Sequence, residues 1–153
     1  MGRSFAIVGL VGEDAARALP VIQATWPGVD LPSWERFVGA FADSAQRPAG
    51  VLALHDTAGT LCGVLAYRRD QDLRGRATLA VPLFTAVDLA NSPRTVRALL
   101  DAAEALASEL TCAHVEIRLY EEQGEFVSRL RELGLTSDAS LLRLAVTPPR
   151  VMC

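Results

Sequence analysis

The spacing of apolar positions changes along the chain, and each change marks an element. Runs with two-residue alternation or continuous aliphatic character predict strands at Ser4–Leu10, Val51–His55, Leu61–Tyr67, Ala77 to about Asp88, Ala113–Tyr120 and Ser140–Val146. Three- and four-residue spacing predicts helices between them. Ala15, Leu19, Ile22 and Trp26 form one stripe, with Glu13 and Asp14 at its positive end and Pro27-Gly28 as its stop. Pro20 falls inside that stripe and should kink or shorten the helix. Trp34, Phe37, Val38 and Phe41 form a second stripe, with Ser33 as its cap and an end near Gln46. The longest helix opens at Asn91-Ser92-Pro93, with Ser92 as N-cap and Pro93 where no N–H is missed. Its face is Val96, Leu99, Leu100, Ala103, Leu106, Ala107 and Leu110. A last helix from about Gln123 carries Phe126, Leu130 and Leu133, and Gly134 ends it.

The resulting order, β-α-α-β-β-β-α-β-α-β, predicts an α/β fold with a mixed sheet and helices on its faces. Asp56-Thr57-Ala58-Gly59 closes an antiparallel hairpin. From Ala77 through the Pro93 helix to Tyr120 the chain reads as a right-handed β-α-β crossover, which makes those two strands parallel. Pro82 cannot donate to a ladder, so its strand needs an edge, a bulge or a splay there. Arg68, Arg69, Arg74 and Arg76 surround Asp70 and Asp72; a solvated, ion-paired loop is the plain reading and an anion clamp the sharper one.

Composition narrows the chemistry. The 153 residues, 50% hydrophobic, suit a single domain over 1–153 with one core. Apolar runs stop well short of a membrane span, and the N-terminus makes a poor signal peptide, so a cytoplasmic location is expected. All 15 basic residues are arginine, the net charge is -3 and no basic stripe exists, which argues against a nucleic-acid partner. Without lysine there is neither a Schiff base nor a P-loop. No G-x-S-x-G elbow is present. Cys62, Cys112 and Cys153 form no C-x-x-C pair, and Cys112, His114 and Glu116, which alternate along one strand, lack a second ligand group; no metal is expected. The amides of Arg94, Thr95 and Val96 at a helix N-terminus suit an anion, though plain capping by Ser92 accounts for the same residues.

Three segments carry a resemblance to a known family. Leu61-Cys62-Gly63-Val64-Leu65-Ala66 resembles the third strand of the GNAT superfamily of acyl-CoA-dependent N-acyltransferases. FTAVDLANSPRTVRALLDAAEALASEL resembles its strand, pyrophosphate loop and long helix, and QGEFVSRLRELGL its Asn-x-x-Ala-x-x-x-Tyr segment. The resemblance implies a mixed, mostly antiparallel sheet with one splayed parallel pair. It also implies transfer of an acyl group, most simply acetyl from acetyl-CoA, to the primary amine of a small molecule or peptide. The diphosphate would lie at Asn91, Ser92, Arg94, Thr95 and Val96, the pantetheine arm along Thr85, Ala86 and Val87, and Gln123 beside it, at the family's Asn position.

The sequence departs from the family pattern in two places. Neither glycine of Gln/Arg-x-x-Gly-x-Gly/Ala is kept across Asn91–Val96, so Arg94 and Val96 place side chains where backbone should meet phosphate. Arg94 offers a guanidinium in compensation. Leu130 stands where the family's acid Tyr falls, so no catalytic acid or base is assigned; Tyr120 and Glu116 are the groups to test. A non-catalytic module that binds a ligand or partner is the alternative. A third reading, an unrelated α/β regulatory domain, requires the two crossover strands to be bonded along their full length. The final strand could pair across a two-fold axis, which would make a homodimer.

Overall fold

The computed structural model describes residues 5–41, 48–87, 93–137 and 142–146. Its sheet has five strands in chain order: β1 (Ala6–Gly9), β2 (Ala49–His55), β3 (Leu61–Gln71), β4 (Ala77–Ala86) and β5 (His114–Ile117). The first four pair antiparallel and β4 pairs with β5 parallel, which is the crossover read from the sequence. Four helices flank it: α1 (Leu19–Thr25), α2 (Leu31–Gly39), α3 (Pro93–Glu109) and α4 (Gly124–Glu132).

Strand alternation divides the core in two. Val51, Ala53, Val64, Ala66 and Leu83 face α1 and α2. Leu54, Leu65, Leu79, Val81 and Phe84 face α3 and α4. Val96, Leu99, Leu100, Ala103 and Ala107 of α3 are buried on that second face, at the predicted spacing. Each of the large residues on it contributes roughly 1.5–3 kcal/mol by leaving water.

Local chemistry moves several boundaries. A 3-10 stretch over Gly12–Ala18 precedes α1, and Pro20 sits in the first turn of α1, so the proline starts this helix instead of kinking it. Asp30, not Ser33, caps α2: its Oδ1 accepts the Ser33 amide at 2.9 Å, and the bonds from Ser33 hold its carboxyl below the usual range. Trp34 anchors this layer through Nε1, which donates to the Ala15 carbonyl at 2.6 Å. The Gln46 end of α2 lies outside the described residues; the helix stops at Gly39.

β3 runs on to Gln71, since pairing with β4 continues to Gln71 opposite Ala77. The arginine-rich loop therefore shrinks to a turn. Arg68 pairs with Asp70 at 3.2 Å, Arg76 pairs with Asp72 at 2.9 Å, and Arg69 Nε donates to the Leu110 carbonyl at 2.9 Å. That is the ion-paired reading of the loop. Two glycines stand where geometry disfavours a side chain. A Cβ on Gly50 would stand 3.0 Å from the Tyr67 ring, and Gly134 stops α4 at φ +100°.

One predicted element is corrected. Residues 142–146 form no strand, and all five are exposed, with no ladder partner beside them among the described residues. Among the described residues the sheet ends at β5. No described helix is long and apolar enough to cross a membrane.

Candidate functional site

The site forms where β4 and β5 part. Their ladder covers Thr78–Val81 opposite His114–Ile117, followed by one bond from the Arg118 amide to the Val81 carbonyl at 3.0 Å. β4 then continues to Ala86 without β5. Pro82 begins the unpaired stretch, and on the other edge it lies in a bulge. Ala66 pairs with Leu83 and Arg68 with Ala80, so Val81 and Pro82 together face Tyr67. The expected distortion is present at the proline. A full-length parallel ladder, which the regulatory-domain reading required, is not.

Backbone alternation decides which β4 groups face the opening. The Val87 amide donates to the Cys62 carbonyl of β3 at 2.9 Å, so that end of the predicted Thr85–Val87 trio is turned away. Thr85 is fully buried, and its Oγ1 lies 3.5 Å from the Thr25 Oγ1 at the end of α1. Phe84 and Ala86, with the opposite parity, present their backbone groups to the opening.

Gln123 occupies part of that edge. Its Nε2 donates to the Phe84 carbonyl at 2.8 Å and its Oε1 accepts the Tyr120 amide at 3.0 Å. With 3% exposure, the amide acts as a clip that replaces the missing β5 ladder. Below it the Phe84 and Phe126 rings stack with centroids 5.3 Å apart, joining α4 to β4.

On the other side of the opening, the end of α1 reaches the β5–α4 connection. Trp26 Nε1 donates to Glu122 Oε2 at 3.3 Å. The Trp26 ring meets Tyr120 edge-on at 5.3 Å, and the Arg118 guanidinium lies over Tyr120 at 5.3 Å. A cavity of about 320 Å³ results, bounded by Thr25, Glu122, Gln123, Gly124, Glu125 and Phe126. Glu122 and Glu125 are exposed, so the mouth is acidic. Sequence reasoning missed Thr25, Trp26, Glu122 and Glu125. Trp26 and Glu122 stand 96 positions apart, and nothing in either segment marks the other.

The remaining candidates are placed as follows. Val96 is 1% exposed and packs in the core with Leu99 and Leu100, which corrects the expectation that its side chain stands in the phosphate approach. Thr95 is buried as well, and Arg94 is exposed. The start of α3 is therefore not blocked by Val96, and Arg94 can swing into solvent. Asn91 and Ser92 lie outside the described residues. Leu130 is core, at 3% exposure.

Glu116 is exposed and opposite Ala80, inside the paired stretch; Tyr120 is the nearer of the two acid–base candidates. The Cys62 thiol is pushed up from its usual range, by burial first and by the Asp56 charge second, so it makes a poor nucleophile. Among the described residues no group of three or more His, Cys, Asp and Glu could hold a metal ion. A larger concavity, about 800 Å³, is lined by Leu10, Phe41, Val51, Tyr67, Glu13 and Glu35 and shares no lining residue with the smaller cavity.

No family model matches the sequence, and no curated protein matches it. Solved structures do match the fold. A ribosomal-protein-alanine N-acetyltransferase from Brucella melitensis biovar Abortus 2308 superposes with a TM-score of 0.72 at 14% identity, covering 95% of this chain and 100% of that one. The aminoglycoside N-acetyltransferase AAC(6')-Iy in complex with CoA gives 0.75 at 9% identity, covering 95% and 97%. A transcriptional regulator from Bacillus halodurans C-125 gives 0.74 at 12% identity, covering 94% and 100%. The chain has the fold of the GNAT acetyltransferases, as its element order and three segments suggested.

Proposed function

We propose that this protein is an acyl-CoA-dependent N-acyltransferase, most simply an N-acetyltransferase, acting in the cytoplasm on a primary amine. The observation that carries the reading is the opening of β4 from β5 at Pro82, flanked by an acidic cavity. The fold likeness to enzymes named for acetyl transfer, one of them holding CoA, supports it.

In this reading acyl-CoA is a substrate. Its pantetheine arm takes the Phe84 N–H and the Ala86 backbone groups that β5 leaves free, beside the Phe84 carbonyl that the Gln123 amide already holds, and the N–H groups polarise the thioester carbonyl. The diphosphate sits by the first turn of α3, where Arg94 supplies a guanidinium in place of the absent glycines. Glu122 and Glu125 draw a cationic amine to the mouth. The neutral amine attacks the thioester carbon, a C–N bond forms, the C–S bond breaks, and the departing thiolate takes up a proton to leave as free CoA. The rate comes mainly from holding amine and thioester together, since no acid or base is fixed on the reacting atoms.

The test is thermal. Acetyl-CoA at millimolar concentration should raise the melting temperature by several degrees, as expected when ligand far exceeds its dissociation constant. An unchanged melting temperature removes this reading.

The second reading is a binding module without turnover. The Gln123 clip favours it, because the Phe84 carbonyl is already satisfied within the chain, and so does the burial of Leu130 in the acid position. A panel of amines with free-thiol detection separates the two. Release of CoA above the acceptor-free blank excludes the module.

A further inference from the structure

The Gln123 side chain stands on a group that a ligand arm would need. Past Val81 the β4 strand has no partner on its β5 side, and the Phe84 carbonyl, turned that way, is held by the chain itself at 2.8 Å from Gln123 Nε2. The same planar amide accepts the Tyr120 N–H through Oε1 at 3.0 Å. Because that amide is rigid, Nε2 cannot leave Phe84 without disturbing Oε1. A pantetheine arm carries amides of its own, each with an N–H donor and a carbonyl acceptor. Gln123 therefore fills one hydrogen-bonding position of such an arm. The position is dry, with Gln123 3% and Phe84 0% exposed, so water does not readily replace either bond.

The side chain also has somewhere to go. The cavity of about 320 Å³ opens beside it, lined by Gln123 itself and by Thr25, Glu122 and Glu125. Hydroxyl and carboxylate oxygens there can accept the N–H groups of a displaced amide. Gly124, next in the chain, leaves the space clear: a Cβ on it would meet nothing within 4 Å.

We propose that Gln123 is an autoinhibitory latch: in the free protein its amide occupies the ligand's place on the Phe84 carbonyl, and the arm docks fully only when that amide swings into the cavity. This role rests on the acyl-CoA reading and deepens it, by making the affinity for CoA a contest between two amides for one carbonyl. Its sign is opposite to that of a supporting contact. Removing a residue that holds the ligand weakens binding, whereas removing a competitor strengthens it. With the latch open about a tenth of the time in the free protein, the apparent affinity lies about tenfold below that of the open state. The bonds that steady the empty edge thus oppose its filling, a trade of stability against binding.

The experiment is calorimetric titration of the full chain with CoA, beside two variants. Gln123→Met keeps the length of the side chain and removes its amide. It should bind CoA about tenfold more tightly while melting at a lower temperature. Asp72→Ala, at the turn between β3 and β4, should also melt lower but leave the affinity unchanged, which separates the latch from a general loss of stability. Hydrogen exchange on the unaltered chain needs no variant. Saturating CoA should protect the Ala86 amide and, in the same sample, speed exchange at the Tyr120 amide about tenfold as Oε1 leaves it. An affinity unchanged or weakened in Gln123→Met overturns the latch and leaves the acyl-CoA reading in place. So does a Tyr120 amide as protected with CoA as without. If CoA binds neither the unaltered chain nor Gln123→Met, both fall.

Discussion

The two edges of β4 are made by the same residues and end differently. Toward β3 the strand is paired from Ala77 to Ala86, interrupted only by the bulge at Val81–Pro82. Toward β5 it is paired over Thr78–Val81 and then freed. The first edge is closed by a tight turn. Asp72 accepts the Arg74 and Arg76 amides at 2.9 and 2.8 Å and the Arg76 guanidinium at 2.9 Å. The second edge is joined by a long crossover through α3, so no turn enforces its register. Where the ladder ends, side chains take over: the Gln123 amide and the Phe84–Phe126 stack hold α4 to the strand. An open edge can therefore exist in a buried place, provided side chains supply what the backbone partner no longer does.

That account can be broken at four points. The largest effect is expected at Phe126→Ala. The ring is 1% exposed and stacked on Phe84, so the loss should be about 3–5 kcal/mol in urea unfolding. A loss under about 1 kcal/mol would mean that α4 is held by something other than this stack.

Next is Gln123→Leu. It strands the Phe84 carbonyl and the Tyr120 amide, and about 2–3 kcal/mol should be lost. Hydrogen exchange should quicken at the Tyr120 amide and stay unchanged along the β3–β4 ladder. Equal quickening on both edges would contradict the separation drawn between them.

A smaller effect is expected at the closed edge. Bonds from the Arg76 amide first, and from its guanidinium second, lower the Asp72 carboxyl below its usual value of 3.8. A depressed folded-state value stabilises above the unfolded value and is lost as pH falls through the folded one. Asp72→Ala should therefore lower the melting temperature by about 2–4 °C at neutral pH. The gap should close in acid below the ordinary carboxylate range. A gap that persists there would assign the effect to the turn backbone alone.

The smallest change is Pro82→Ala, within about 1 kcal/mol of the parent. The amide this substitution introduces should exchange quickly if the bulge and the opening are set by the surrounding packing. Strong protection of that amide, with β5 residues beyond Ile117 newly protected, would show that the proline alone parts the strands.

Much of the fold was legible in the residues. The α3 face repeats so regularly that its buried set follows from spacing, and Gly134 ends α4 as a positive-φ glycine should. Pro82 marked the place of distortion because a missing N–H is a local fact. Other features resisted. Ser33 looked like the cap of α2, but Asp30 three residues earlier binds the Ser33 amide, and Pro32 suits the first turn. Val96 was read as an obstacle to phosphate because loop alignment says nothing about which side of a helix a residue occupies. The strand predicted at the C-terminus followed from its own alternation, yet a strand exists only with a partner.

Sequence alone determined most of the elements, the crossover, the distortion at Pro82 and the exclusion of lysine-dependent chemistry, since each depends on neighbouring residues or on composition. Only the tertiary structure decided what stands in the opening: Gln123 bonded to Phe84, and Trp26 against Tyr120 and Glu122. These contacts join segments far apart in the chain, and their distances are set by packing the two faces of the sheet, which no local pattern records.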